Sequence, residues 1–274
     1  MPLRVDLHLH TTASDGTWTP EQLVAAAQQA GIGLMAVTDH DSLAGVERAV
    51  AAARGNGMRV LPGIELSARL NGQLYHLLAY GVDLAHPALN EFVAENTRQA
   101  TVANDRALRL LVEAGYPITL EDAAAYQNDP SRGGWTVLNF LIDRGLCRDM
   151  AGYFRLFSGS LRHPQPEFGS VAEAVAAAQA AGGTVILAHP GVRFYNGLSD
   201  QRLADLVAMG VAGLECYSCQ QDELATRRFL EFCRRRALLV TGGSDCHGTF
   251  VQRPIGIPEL YAHDLVLGRL VDAV

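Results

Sequence analysis

The sequence predicts an α/β protein: repeated strand–helix units that favour a parallel sheet or barrel, with an all-helical insertion in the middle. Three observations carry this expectation. Short apolar runs alternate with amphipathic segments in the first and last thirds of the chain. From about Pro87 to Leu161 the periodicity is helical, with no strand pattern. Histidines and carboxylates recur where the apolar runs end, as they do at the active face of β/α barrels.

Taken in order, Val5 to His10 reads as a buried strand. A helix begins at Pro20, with Thr19 as N-cap and Gln22 completing a capping box. Leu34 to Thr38 is the second strand, and Ser42 opens an alanine-rich helix that stops near Gly55 and Gly57. Arg59 to Leu61 and Leu74 to Tyr80 supply two more strands. The helical stretch runs through Ala88–Ala114, Leu120–Tyr126, Thr136–Asp143 and Met150–Phe157. A helix capped by Ser170 and Glu173 then restores the alternation. It is followed by the strand Thr184–Ala188, a helix after Ser199, the strand Gly213–Tyr217, the helix Asp222–Arg236 and the strand Leu238–Thr241. The expected division is residues 1–86 and 166–274 for the two parts of the barrel, with 87–165 as a helical cap.

Composition narrows the function. The chain has 274 residues, 49% hydrophobic and 19% charged, which fits a globular core. No apolar run approaches the roughly 18 residues of a membrane span. Met1 to Asp6 carries no signal-peptide pattern, so the expectation is a cytoplasmic protein with no membrane partner. The net charge of −7 argues against a stable nucleic-acid complex but leaves room for a small phosphorylated substrate, because bound cations reverse the local sign. All 22 basic residues are arginine. The absence of lysine excludes a P-loop, a Schiff base and a pyridoxal attachment, and leaves any side-chain phosphate clamp to arginine. The five cysteines, Cys147, Cys216, Cys219, Cys233 and Cys246, are too scattered for a disulfide framework. Cys216 and Cys219 read as two buried thiols on and after a strand.

The chemistry lies in the polar residues at strand ends. His8 and His10 occupy alternate positions and face one side. Asp15 lies in the following loop, Asp39-His40-Asp41 follows the second strand, Glu65 follows the third, and His76 lies in the fourth. His189 ends the strand after the insertion, and Asp245 and His247 follow the last. Imidazole and carboxylate are good ligands for zinc, manganese and iron, and a carboxylate such as Glu65 can bridge two ions. Clustered ions lower the pKa of bound water and clamp a phosphoryl oxygen during in-line attack.

The motifs Asp6-Leu7-His8-Leu9-His10, Ser14-Asp15-Gly16, Thr38-Asp39-His40-Asp41, Pro62-Gly63-Ile64-Glu65, Ala188-His189-Pro190-Gly191 and Gly243-Ser244-Asp245-Cys246-His247 together resemble the polymerase and histidinol phosphatase (PHP) family. The resemblance spans about residues 4–82 and 170–250. It implies a distorted (β/α)7 barrel with a helical insertion subdomain, holding up to three divalent ions (manganese, zinc or iron). It also implies a partition of ligands: His8, His10, Glu65 and Asp245 for one ion; Glu65, His76 and His189 for the second; Asp15, His40 and His247 for the third. His189, Asp245 and His247 are the candidate catalytic residues beside their role as ligands. Within the family the chain is similar to stand-alone bacterial enzymes that dephosphorylate nucleoside 3′,5′-bisphosphates or trim short RNA from its 5′ end. Those enzymes grip substrate with an arginine after His-Pro-Gly and an Arg-x-His pair in the insertion. Here Arg193 stands one residue later than in that pattern, and the Arg-x-His positions hold Gly134 and Thr136, with Arg132 nearby. Arg193 and Arg132 are therefore the candidate substrate-binding residues.

The expected activity is metal-dependent phosphoester hydrolysis by an activated hydroxide, on a nucleotide or short RNA. The alternatives are a phosphomonoesterase acting on another metabolite, such as histidinol phosphate or a sugar phosphate, an amidohydrolase, or a non-catalytic module. Many amidohydrolases bridge their metals with a carboxylated lysine, which this chain lacks; loss of catalysis is opposed by the full set of nine ligand candidates. Arg234-Arg235-Arg236 reads as a solvated helix end, Trp18 and Trp135 as core or rim packing with stacking on a base as the alternative, and His86, His163 and His263 as structural or exposed. Glu215 ends a strand and can line the pocket without being a ligand.

Overall fold

In the computed structural model, which describes residues 2–195 and 197–271, the described residues form one sheet of eight strands. In chain order these are β1 (Arg4–Asp6), β2 (Leu34–Val37), β3 (Arg59–Leu70), β4 (Gln73–Tyr80), β5 (Thr184–Leu187), β6 (Gly213–Ser218), β7 (Leu239–Gly243) and β8 (Leu260–Tyr261). Their spatial order is β7-β6-β5-β4-β3-β2-β1-β8. Parallel pairs join β1 to β2, β2 to β3, β5 to β6 and β6 to β7. β4 runs antiparallel to both neighbours, and β8 is antiparallel to β1. The sheet curls until the chain beyond β1 meets the chain beyond β7. There Leu7 N–H donates to the Gly242 carbonyl (3.2 Å), Asp245 N–H to His8 (2.9 Å) and His10 N–H to Cys246 (3.0 Å). The result is a nearly closed, distorted α/β barrel of seven strands, with β8 attached beside the start of β1. Its main apolar cluster includes Leu7, Leu66, Leu77, Tyr80, Leu187 and Leu214.

The barrel helices start where local chemistry says they should. α1 (Pro20–Gln29) has the Thr19–Gln22 capping box, and α7 (Val171–Ala180) has the reciprocal bonds of Ser170 and Glu173. Ser199 caps α8 (Asp200–Ala208) and Asp222 caps α9 (Glu223–Arg236). The arginine run at the end of α9 is exposed: Arg234 pairs with Glu231, Arg235 with Asp200, and Arg236 lies over the Phe232 ring. The insertion contains α3 (Pro87–Glu113), α4 (Leu120–Ala125), α5 (Thr136–Asp143) and α6 (Met150–Leu156). The second half of α3 shares a separate apolar cluster with α5 and α6, through Leu108, Leu111, Leu138, Leu141 and Tyr153. Its first half packs on the barrel through Leu89 and Phe92.

Four details differ from the sequence reading. The ladder of β1 ends at Asp6, although the chain stays extended and Leu9 still bridges Cys246. β3 does not end at Leu61 but runs twelve residues to Leu70 and turns through Asn71-Gly72 into β4. Pro62 imitates a strand end, yet it needs no N–H here and its carbonyl accepts from Gly81 (2.7 Å). The Asn-Gly turn, with φ of 52° and 79°, is the hairpin signal that the expectation of parallel strands obscured. The second helix, α2 (Val46–Ala53), starts four residues after Ser42 with no side-chain cap. The intervening loop is committed to the site, and Gly45 is required there because a Cβ would lie 2.7 Å from Asp39 Oδ2. Finally, Cys216 is buried but Cys219 is exposed, because it lies in the loop beyond β6.

Asn96 fastens the insertion to the barrel. Almost fully buried on α3, its amide donates to Asp41 Oδ1 (2.8 Å) and the Ser67 carbonyl (2.7 Å), and its oxygen accepts from Gly169 N–H (3.3 Å). Replacing Asn96 with Ala strands these buried partners and should destabilise the protein by about 1–3 kcal/mol. Urea unfolding of the two proteins measures this, and an unchanged midpoint would show that the tie is energetically idle.

Candidate metal centre

Each ligand candidate is placed by a strand end or the loop beyond it. The extended chain after β1 alternates Leu7 and Leu9 on one side with His8 and His10 on the other, and both imidazoles are fully buried. Thr38 holds this segment by accepting from Leu9 N–H (3.0 Å). Asp39 supports the Asp15 loop by accepting from Thr11 N–H (2.7 Å), Thr11 Oγ1 (2.7 Å) and Ser14 Oγ (2.6 Å). Asp41 takes the bonds from Asn96 and from Ser67 N–H (3.1 Å). Asp39 and Asp41 are thus framework, and His40 between them points inward. His76 is set on β4, where its N–H donates to the Tyr195 hydroxyl (3.0 Å).

These elements converge on Glu65, a fully buried carboxylate inside β3. Its Oε2 lies 3.0 Å from His8 Nε2, 3.2 Å from His10 Nε2 and 3.3 Å from His40 Nδ1. Its Oε1 lies 3.0 Å from His189 Nε2 and 3.1 Å from His76 Nδ1. Asp245 Oδ1 sits 3.1 Å from His10 Nε2 and 3.4 Å from His8 Nε2. Asp15 Oδ1 sits 3.3 Å from His247 Nε2 and 3.7 Å from His10 Nδ1. The structure therefore brings all nine candidates together. Three sets have donor atoms within 4.8 Å of one another: His8, His10, Glu65 and Asp245; His40, Glu65 and His76; and His10, Asp15, His40 and His247. His40 and His10 stand between sets that the family resemblance keeps apart.

The donor set fits divalent cations. His10 Nδ1 and Nε2, His76 Nδ1, His189 Nδ1 and Asp245 Oδ1 are buried without a hydrogen-bond partner, although carboxylates surround them. Burial opposes charge on His8, but Glu65, Glu215 and Asp245 outweigh it and raise its pKa well above the usual value. Burial likewise opposes charge on His10, while the nearby carboxylates of Asp245 and Glu65 push its pKa up to about 10. For His40 burial prevails, pushing the pKa down to about 3 despite Glu65 and Asp15. Burial would raise the acids, yet the imidazoles hold Glu65, Asp15 and Asp245 below the ordinary carboxylate range. The carboxylates of Glu65, Asp15 and Asp245 are thereby favoured in their ionised form, which suits cations.

A further shell orients these groups. Glu215, fully buried within β6, accepts from His8 Nδ1 (2.9 Å) and from His189 N–H (2.7 Å). The first bond turns His8 Nε2 towards Glu65, the arrangement by which an outer carboxylate fixes a ligand's tautomer. Asp41, His189 and Asp245 adopt left-handed backbone conformations, with φ of 44°, 29° and 53°. Such strain persists only where the surroundings impose it. Arg193, in a short turn after β5, is exposed. Arg132 is engaged elsewhere: its guanidinium binds Asp143 (2.7 and 2.8 Å) and the Tyr126 hydroxyl (2.7 Å). Sequence reasoning missed Arg253, whose guanidinium contacts Asp245; it lies in an aperiodic loop, and nothing in its spacing marks it.

The PHP domain profile matches residues 6–121. A 5′-3′ exoribonuclease, Rnm, from Salmonella typhimurium is 31% identical over 250 residues, covering 88% of this chain and 84% of the relative. A 3′,5′-nucleoside bisphosphate phosphatase from Chromobacterium violaceum is 30% identical over 249 residues, covering 89% and 87%. The crystal structure of a Bifidobacterium adolescentis protein, assigned by inference as a metal-dependent phosphoesterase, superposes with a TM-score of 0.86 at 29% identity, covering 100% of this chain and 98% of that one.

Protons compete with cations for His8 and His10. At neutral pH both imidazoles are charged in the metal-free protein, so a cation must displace their protons, and its affinity should rise as pH increases from 6 towards about 10. Calorimetry at pH 7.5, in buffers of different ionisation heat, should show net proton release on adding Mn2+ or Zn2+. Binding without proton exchange would contradict the assignment of charge to His8 and His10.

Proposed function

The chain belongs to the PHP family and is a metal-dependent phosphoester hydrolase, and from that premise we propose that its substrate is a small nucleotide or short oligonucleotide phosphate. The observation that carries this reading is a cleft of about 380 Å³ that begins at Asp15 and His40 and runs between barrel and insertion, past Asn96, Trp135 and Phe168. A phosphoryl group at the histidine–carboxylate centre would place the organic part of the substrate in this cleft, against two aromatic side chains and neutral amides. The relatives' activities on a nucleoside bisphosphate and on RNA support the same class of substrate.

His8, His10, Asp15, His40, Glu65, His76, His189, Asp245 and His247 would hold up to three divalent ions. Manganese, zinc and iron suit nine donors that are all imidazole or carboxylate, with no thiolate among them. When bound, such ions lower the pKa of water and neutralise charge on the transferring phosphoryl group. The chain's own contribution is orientation: Glu65 joins the two halves of the centre, and Glu215 keeps His8 and the His189 backbone in register. Arg193, beside the His189 turn, is the proposed contact for an outer phosphate oxygen. Arg132 would have to leave Asp143 before it could serve the same purpose.

One observation favours a narrower reading, in which the substrate carries a single phosphoryl group. Among the described residues, no arginine lines the cleft, and its wall holds Gly134 and Thr136, the positions that the family resemblance matches to an Arg-x-His pair. Asp41 also lines it and would repel a second phosphate.

A phosphate-release screen with added manganese tests both readings, using nucleoside 3′,5′-bisphosphates, the matched monophosphates, short 5′-phosphorylated oligonucleotides, histidinol phosphate and sugar phosphates. Turnover of nucleotides is expected, with monophosphates at least equal to bisphosphates. Turnover confined to the non-nucleotide esters would overturn the proposed substrate class. In the same assay Glu65→Gln should lose more than the roughly 10- to 100-fold typical of removing an outer-sphere partner. Trp135→Ala should raise KM for nucleotides by about fivefold or more, if its ring carries the stacking of a base.

A further inference from the structure

We infer that Arg253 and Gln220 form a clamp that positions Asp245 and restricts it to one ligating oxygen, an inference that rests on reading Asp245 as a metal ligand. The two oxygens of Asp245 live in different surroundings. Oδ1 faces His8 and His10 at 3.4 and 3.1 Å and has no hydrogen-bond partner. Oδ2 points the other way and accepts from both Arg253 Nη1 and Gln220 Nε2. Arg253 Nη2 then donates to Gln220 Oε1 (3.0 Å), closing a ring of three side chains. The ring joins three separate stretches: the loop after β6, the loop after β7, and the segment leading to β8. Arg253 is three-quarters buried, and Asp245 is its carboxylate partner among the described residues.

Asp245 needs such support, because its backbone sits in the left-handed region at φ 53° and a carboxylate oxygen of Glu65 lies within 4.8 Å of its own. An unclamped carboxylate can rotate and offer either oxygen, or both, to an ion. With Oδ2 occupied by two donors, Oδ1 alone remains available, already aimed between His8 and His10. The alternative role for Arg253, direct capture of substrate phosphate, requires a free guanidinium; here both terminal nitrogens are engaged.

Sign separates positioning from simple electrostatics. A guanidinium near the centre repels cations, so if charge were its whole contribution, Arg253→Ala would raise metal affinity or leave it unchanged. A positioning role predicts the opposite. Affinity for Mn2+ or Zn2+, measured on the full chain by competition with a chelating indicator, should fall about tenfold or more in Arg253→Ala. Gln220→Leu, which alters no charge, should fall in the same direction. Arg253→Lys keeps the charge without the two-pronged contact and should recover the affinity only in part. Far-UV circular dichroism in the presence of EDTA confirms that each variant is folded, and Gln220→Leu decides the matter should Arg253→Ala fail to fold. Unchanged or increased affinity in the folded variants overturns the clamp, as does full recovery by lysine. A rise in substrate KM with metal affinity intact overturns it in favour of substrate binding. Asp245→Ala serves as control: if its metal affinity matches that of the unaltered protein, the reading of Asp245 as a ligand has failed, and the clamp with it.

Discussion

Glu65 is the constraint on which the rest of the molecule depends. A carboxylate taken fully out of water is costly, by several kcal/mol, unless charge and hydrogen bonds compensate it from every side. Here five imidazoles approach it within 3.3 Å. No single helix or hairpin can present five imidazoles to one point. They come from the chain beyond β1, the loop beyond β2, β4 and the turn beyond β5, and a curled sheet is the arrangement in which those stations converge. The length of β3 follows from the same need. A strand ending at Leu61 would leave Glu65 in a solvent-facing loop; extended to Leu70, it carries the carboxylate under the histidines and continues as a hairpin that delivers His76.

Such a centre must be preorganised by residues that never touch an ion, since side chains left to choose their own rotamers would satisfy one another instead. β6 illustrates this. It contributes no ligand candidate, yet Glu215 within it holds His8 and the His189 backbone, Gln220 just beyond it holds Asp245, and Gln221 accepts from Gly191 N–H in the His189 turn (3.0 Å). One strand and its loop therefore support three ligand-bearing segments. The left-handed conformations of His189 and Asp245 lie within this supported region, and that of Asp41 lies where Asn96 and Ser67 brace it. Backbone strain is concentrated where external hydrogen bonds can hold it.

Much of this was legible in the sequence, because the signals concerned are local. Capping boxes at Thr19 and Ser170 depend on four consecutive residues, and the alternation of His8 and His10 with Leu7 and Leu9 depends on the pleat alone. The nine clustered residues could be gathered because imidazoles and carboxylates are conspicuous at the ends of apolar runs. What escaped depends on register or on long-range contact. Pro62-Gly63 resembles a strand end unless one knows that β4 returns to pair with it. Glu215 alternates correctly on β6, but that it lies beneath His8 follows only from strand order. Arg132 was a plausible phosphate ligand until Asp143, eleven residues on, was found to occupy it. Arg253 carried no signal, because a loop residue's partner is set by where the loop lands.

The same division separates reactivity from specificity in this protein. Reactivity rests on charge density: ionised carboxylates packed against imidazoles create a place where cations belong, and strand ends fix it. In the proposed reading specificity lies in the cleft between barrel and insertion, where Asn96, Trp135, Thr136 and Phe168 come from helices and loops with no common period. In a chain without lysine, cationic recognition there would require arginine, yet Arg132 is paired with Asp143, Arg253 supports Asp245, and no arginine enters the cleft wall among the described residues. In the proposed reading the phosphoryl charge is met at the centre and by Arg193 beside the His189 turn, and the cleft is left to distinguish substrates by shape, stacking and neutral hydrogen bonds. On that reading, substitutions in the insertion would redirect the substrate without disturbing the nine clustered side chains.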